Sequence, residues 1–274
     1  MTRRAVARGA LELYADPAYY HHTYRSRRHD VDYYVELARR TGGPVLEYGV
    51  GNGRIARAIA RAGIDVVGVD LSEPMLGDLA ERASRLSRAA RERLSWVHGD
   101  MRTVRLRRRF ALVLAPFNTF LHLYEIRDAL DFLDRAREHL APSAPLVFDI
   151  SVPLVSDLAC DPNRWMAGPR LRHPTTGKLV RYAERFDYDA VRQVLHVEMR
   201  FEPLDGSPSW SVPLSHRQFF PQELRALLAA AGYGPCELTA DFTSHPAGPD
   251  VDSLVVTAWP GRRRRDLARR PLRP

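Results

Sequence analysis

The sequence predicts an α/β protein: a doubly wound, seven-stranded, mostly parallel sheet carrying an antiparallel β insert. Three observations predict it. Short apolar runs alternate with helical segments from Val45 to Ile150. The first of these runs ends in three glycines spaced two apart and opens into a helix. From Ser151 to Phe220 the alternation stops, and strand-like runs follow one another with turns between them.

Residues 1–43 form an N-terminal helical segment rich in tyrosine and arginine, including Tyr14, Tyr19, Tyr20, Tyr24 and Arg27. Tyrosines at such spacing pack half-buried, and Asp32–Ala38 reads as an amphipathic helix that stops at Thr41-Gly42-Gly43-Pro44. The strand Val45–Tyr48 carries Glu47 and leads into Gly49-Val50-Gly51-Asn52-Gly53-Arg54. Glycines allow positive φ and close ligand approach, and the helix from Ile55 presents free N–H groups at its start. A dinucleotide fingerprint needs glycine at the sixth position, where this chain has Arg54.

Ile64–Asp70 is a second buried strand, ending in a carboxylate placed to accept hydrogen bonds from two ribose hydroxyls. Leu71 follows, Ser72 caps the next helix, Met75 lies in its first turn, and that helix runs towards Arg93. Leu94–His98 is the third strand, with Gly99-Asp100-Met101 at its end, where an acid could meet an adenine amine. Phe110–Ala115 is the fourth, followed by the Phe117–His122 loop on the ligand edge of an open sheet. A helix over Glu125–Leu140 and a strand over Leu146–Ile150 close this half.

The insert contributes runs over Leu179–Phe186, Val194–Glu202 and Ser211–Phe219. A helix from Pro221 to Ala231 and strands over Glu237–Phe242 and Leu254–Trp259 complete the sheet. The expected organisation is thus a helical lid over 1–43, a core over 44–150 and 221–260, a covering insert over 151–220, and a basic, disordered tail over 261–274.

Composition narrows the functions available. No run of about eighteen apolar residues occurs and the N-terminus has no apolar signal core, so a cytoplasmic location is expected and a membrane partner is not. Cys160 and Cys236 have no ligand-spaced neighbours, which predicts neither zinc nor a disulfide, and no other metal cluster is visible. The formal charge of +8 sits at the ends: seven arginines against Asp266 after Pro260, and Arg3, Arg4 and Arg8 at the start. The body between them is close to neutral, which argues against nucleic acid as the substrate.

Glu47–Gly53, Asp70, Leu71-Ser72-x-x-Met75 and Gly99-Asp100-Met101, in that order, resemble the motifs of class I S-adenosylmethionine (SAM) dependent methyltransferases, whose sheet is Rossmann-like. Tyr24-x-x-Arg27, the Phe117–His122 loop, the insert and His216-Arg217-Gln218-Phe219 are similar in layout to bacterial sugar N-methyltransferases, which act on nucleotide-linked aminosugars in secondary metabolism. The resemblance implies SAM as cofactor and S-adenosylhomocysteine as product. It implies a cofactor site of Tyr24, Arg27, Glu47, Gly49, Gly51, Asn52 and Gly53, continuing through Asp70, Leu71, Met75, Asp100, Met101 and Phe117. It also implies a lid whose tyrosine and arginine close over SAM, and an insert that covers a small-molecule acceptor and can contribute to a homodimer.

Transfer to an amine or hydroxyl is an in-line displacement at the sulfonium methyl, assisted mainly by alignment. Where a base is used, His122 is the expected one, with Tyr24 as a second catalytic candidate and His21, His22 and His216 in reserve. His122 also fits an imidazole satisfied by a backbone carbonyl at a helix start. Two other classes share the motifs: a nucleic-acid or protein methyltransferase, and a SAM-binding protein without turnover.

Overall fold

The computed structural model describes residues 3–248 and 251–261. The arginine-rich stretch from Arg262 onward, expected as a disordered tail, lies outside the described residues.

The N-terminal segment comprises α1 (Arg3–Leu11), a 3-10 turn over Glu12–Ala15, α2 (Pro17–Tyr24) and α3 (His29–Thr41). Asp16 caps α2 by accepting from the Tyr19 N–H at 2.9 Å. Helix α3 starts three residues earlier than its amphipathic pattern suggested and includes Asp30, a fully buried carboxylate whose partner lies on another element. Gly42, at φ 76°, ends the helix in the left-handed conformation.

The alternating half follows as β1 (Val45–Tyr48), α4 (Ala56–Arg61), β2 (Val66–Asp70), α5 (Glu73–Ser84), α6 (Arg88–Glu92), β3 (Leu94–His98) and β4 (Leu112–Ala115). A 3-10 turn over Thr119–His122, α7 (Ile126–His139) and β5 (Leu146–Ser151) complete it. The single helix expected up to Arg93 is two, because the Ser87 hydroxyl accepts from the Ala90 N–H and starts a new helix.

After a short α8 (Val155–Leu158) come β6 (Met166–Ala167), β7 (Leu171–Arg172), β8 (Leu179–Asp189), β9 (Val194–Pro203) and β10 (Trp210–Arg217). These five strands form an antiparallel sheet, to which the sequence had assigned only three. The two-residue β6 and β7 are too short for any periodicity to announce. Helix α9 (Pro221–Ala230) returns the chain to the main sheet through β11 (Tyr233–Ala240) and β12 (Ser253–Pro260). Strand β11 begins before Pro235, which reads as a breaker; an edge strand with a register shift between Tyr233 and Cys236 accommodates it.

The main sheet runs β11-β12-β5-β4-β1-β2-β3 and is parallel from β5 to β3. Strand order therefore reverses between β1 and β4, opening a crevice beyond their carboxyl ends, where ligands of such sheets bind. One core, around Phe120, Phe132, Phe148 and Phe219, lies on one side of this sheet, and another, around Tyr34, Ile59 and Leu79, on the other. A third cluster of Leu13, Tyr19, Val180, Met199 and Phe201 joins the N-terminal helices to the five-stranded sheet. The N-terminal segment and the five-stranded sheet are thus packed together. No helix among the described residues is long and apolar enough to cross a membrane.

Candidate active site

The turn after β1 is shaped by its neighbours. Gly49 has φ 63°, and a Cβ there would stand 2.3 Å from Thr119 Oγ1; Gly53 has φ 73°, and a Cβ would stand 2.3 Å from Leu79 Cδ1. Both crowding and backbone sign therefore require glycine. The Gly51 N–H donates to Asp70 Oδ2 at 2.7 Å, and the Ser72 N–H donates to Oδ1 at 2.8 Å. A carboxylate offers about four lone-pair sites, so Asp70 retains capacity for two further donors from a ligand. Burial raises its pKa while these backbone N–H groups oppose the rise.

Gly49, Gly51, Asp70, Ser72 and Thr119 line a cavity of about 300 Å³ that runs from the glycine turn to the N-terminal segment and the β4 loop. Among the residues expected at the cofactor, Gly49, Gly51, Asp70, Leu71 and Met75 line it, as do Asp100, Met101 and Phe117. His122 lines it too. Tyr24, Arg27, Glu47, Asn52 and Gly53 stand behind the wall. Asn52, for instance, donates to Asp78 at 3.1 Å and ties the glycine turn to α5.

Behind the turn lies a charged layer. Glu47 is buried, its Oε2 has no partner, and burial pushes its pKa up to about 8 against the pull of Arg54. Arg54 is occupied elsewhere: it bonds both oxygens of Asp30 in the lid at 2.8 and 2.6 Å. Its guanidinium also lies 4.9 Å from the centre of Phe117, and that of Arg27 lies 5.1 Å away. Phe117 and Asn118 hold φ of 55° and 62°, a strained pair at the tip of β4. Asp149, buried at the end of β5, holds the first of them by accepting from the Phe117 N–H at 2.7 Å. It also accepts from the Tyr34 hydroxyl at 2.5 Å, and burial lifts its pKa to about 6.

Asp100 faces the adenine end of the expected cofactor position, yet its oxygens are already engaged by Arg102 at 2.6 to 3.0 Å. Burial works against its charge, but those bonds win and hold its pKa below the usual carboxylate range. Arg102 reaches on to Asp128 at 2.7 Å.

The far wall is aromatic. Tyr14, Tyr20 and Tyr124, none of them expected at the site, line the cavity with His122. Tyr24 packs edge-on against Tyr20 and Phe117, each at 4.9 Å. His122 Nε2 lies 2.8 Å from the Tyr14 hydroxyl, and Nδ1 lies 3.2 Å from that of Tyr124. Enclosure by protein lowers its pKa to about 4, so the ring is neutral at physiological pH. The expected alternative partner, a backbone carbonyl, is replaced by two tyrosines. His216, from β10, lies 5.0 Å from His122 ring to ring, with a buried Nε2 that has no partner. Tyr14 and Tyr124 gave no sequence signal beyond being aromatic, because only the fold brings them to His122. No group of three metal-ligating side chains occurs among the described residues.

A methyltransferase-domain family model matches residues 45–143, the span from β1 to just beyond α7. Over that span the chain matches a methyltransferase domain. Among curated proteins, the chain is 34% identical over 112 residues to the cypemycin N-terminal methyltransferase of a Streptomyces species; the match spans 41% of this chain and 43% of that protein, less than half of either. Among solved structures it resembles the CcbJ methyltransferase from Streptomyces caelestis at 25% identity, a TM-score of 0.75, and coverage of 86% of this chain and 90% of that one. It also resembles SAM-bound CalS10, an amino pentose methyltransferase from Micromonospora echinaspora involved in calicheamicin biosynthesis, at 23% identity and a TM-score of 0.63, over 87% of this chain and 95% of that one. These structural matches cover far more of the chain than residues 45–143 of the family match.

Proposed function

We propose that the chain moves the methyl group of SAM to an amine of a small molecule and releases S-adenosylhomocysteine, in bacterial secondary metabolism. The single observation that favours an amine over a hydroxyl is the state of His122. Its pKa of about 4 makes it a weak base. An aliphatic hydroxyl holds its proton about as tightly as water, near 15.7, so deprotonation by His122 would face a gap of roughly twelve units, about 16 kcal/mol. A neutral amine needs no such step. Its lone pair forms the N–CH₃ bond, the S–C bond breaks with its electron pair left on sulfur, and the resulting ammonium loses its proton to solvent.

In this reading Asp70 takes the ribose hydroxyls, the glycine turn takes the methionine portion, and Leu71, Met75 and Met101 pack on adenine with Asp100 at its edge. Glu47, Asn52 and Gly53 shape the turn from behind, while Tyr24, Arg27 and Phe117 close the lid side. His122, with both ring nitrogens held by tyrosines, lies at the acceptor end. Residues 1–43 act as lid and 151–220 as cover, on a core of 44–150 and 221–260. Alignment in a closed site can contribute about 7 to 11 kcal/mol to the rate. The reading includes a homodimer formed through the insert, on whose face Arg181 pairs with Glu202 and Arg185 with Glu198 within the chain. No nucleic-acid partner is part of this reading.

The test is SAM affinity by calorimetry, together with label transfer from SAM to paired amines and alcohols, including an aminosugar and a peptide N-terminus. The expected result is methylated amine, no methylated alcohol, and at least a tenfold loss of SAM affinity in Asp70→Ala. Unchanged affinity in Asp70→Ala, or turnover of the alcohols alone, would overturn the assignment.

A further inference from the structure

We propose that Tyr124, held by the Ser215 carbonyl, fixes the tautomer of His122 and thereby makes the Tyr14 oxygen a hydrogen-bond acceptor facing the substrate. The proposal rests on reading the cavity as the methyl-transfer site. It follows from the one-way character of a carbonyl. The Tyr124 hydroxyl donates to the Ser215 carbonyl oxygen at 2.8 Å, and that oxygen can only accept. The single proton of Tyr124 is thereby committed, so towards His122 Nδ1, 3.2 Å away, its oxygen must accept.

Nδ1 therefore carries the ring proton. In a neutral imidazole Nε2 is then the acceptor, and the Tyr14 hydroxyl at 2.8 Å must donate to it. With its own proton committed, Tyr14 shows the cavity only lone pairs. It can take an N–H from the methyl acceptor and turn that nitrogen's lone pair elsewhere, and it gives nothing to a group that can only accept.

The start of this chain is well anchored. Ser215 is fully buried in β10, opposite His196 of β9, and its hydroxyl meets His196 Nδ1 at 2.7 Å. Helix α1 lies so close that a Cβ at Gly9 would fall 1.9 Å from Ser215 Oγ. The four groups come from the insert (Ser215), the segment before α7 (Tyr124), the 3-10 turn after β4 (His122) and the lid (Tyr14). Correct polarity therefore exists only when cover and lid are both seated on the core. Tyr124 acts through His122 and is a positioning residue.

The experiment is long-range ¹H–¹⁵N correlation on the full chain labelled in histidine, at pH 7.5, with His122 assigned by its loss in His122→Asn. The wild type is expected to show a protonated Nδ1 and a bare Nε2 at His122. Tyr124→Phe, which removes the acceptor at Nδ1, is expected to give a tautomer mixture and to lower kcat about 10-fold to 100-fold, with SAM affinity within twofold of wild type. A wild-type His122 protonated at Nε2 would overturn the proposal whether or not the variant folds, as would a Tyr124→Phe protein with unchanged tautomer and kcat. The tautomer is measured without any acceptor, so its failure is distinct from a failure to find methyl transfer.

Discussion

Replacing Glu47 by Gln is expected to remove a pH-dependent cost from the folded state. Glu47 is 2% exposed at the end of β1, one of its oxygens has no partner, and the nearest cation, Arg54, has both terminal nitrogens on Asp30. Burial thus outweighs attraction, and the pKa rises from 4.5 to about 8. Between those values the native state holds a proton that the unfolded state has lost, so stability falls as pH rises, by about 1.4 kcal/mol per unit and at most about 5 kcal/mol in all. Below pH 6.5 other groups intervene. Asp149, raised to about 6, acts in the same direction, and His122, lowered to about 4, acts in the opposite one. The histidines whose pKa values burial lowers act in the opposite direction up to about pH 7, but they are common to wild type and variant and cancel in the difference. The window of about 1.5 units from pH 6.5 to 8 corresponds to about 2 kcal/mol for Glu47. Urea unfolding of wild type and Glu47→Gln without SAM at several pH values across that window measures it. The stability of the variant relative to wild type should grow by about 2 kcal/mol towards pH 8. A difference that stays constant with pH would mean that Glu47 is ionised in the folded protein, and the burial reasoning would be wrong.

Asp30→Ala should destabilise the protein by about 3 kcal/mol, because it strands the largely buried Arg54 guanidinium; adding Arg54→Met should recover much of the loss in thermal unfolding. If the single and double variants melt alike, the pair is not the latch between lid and glycine turn. Gly49→Ala should weaken SAM binding at least tenfold by calorimetry, since its Cβ must displace Thr119 and with it the strained loop at Asn118. Wild-type affinity in that variant would show that the turn tolerates the shift.

Local signals carried much of this protein. The glycine spacing, the acids at the ends of β2 and β3 and the loss of alternation after Ser151 are features of neighbouring residues, and they were sufficient for the sheet, its insert and the cofactor. Element ends were less legible, because tertiary contacts set them: Asp30 extends α3 to meet Arg54, and the Ser87 hydroxyl divides a continuous helical pattern. The acceptor side was the least legible. Tyr14, Tyr124 and Ser215 are separated by 110 and 91 positions and carry no motif, and they meet only because lid, β4 loop and insert converge on His122.

Among the described residues, the three acids with raised pKa values, Glu47, Asp70 and Asp149, all lie around the point where strand order reverses. Each is ionised less readily than in water because burial removes solvation that the protein replaces only in part. Arg54 and Arg27, which might have restored the balance, are drawn to Asp30 and held against Phe117. The crevice is therefore short of positive charge at the place where the glycine turn opens. A cofactor carrying a sulfonium and an ammonium brings that charge with it, and its arrival would relieve part of the cost of keeping those carboxylates ionised. In the proposed reading the Asp30–Arg54 pair and the donor site are thus one electrostatic arrangement, with Asp30 retaining the arginines and the cavity left for a cation.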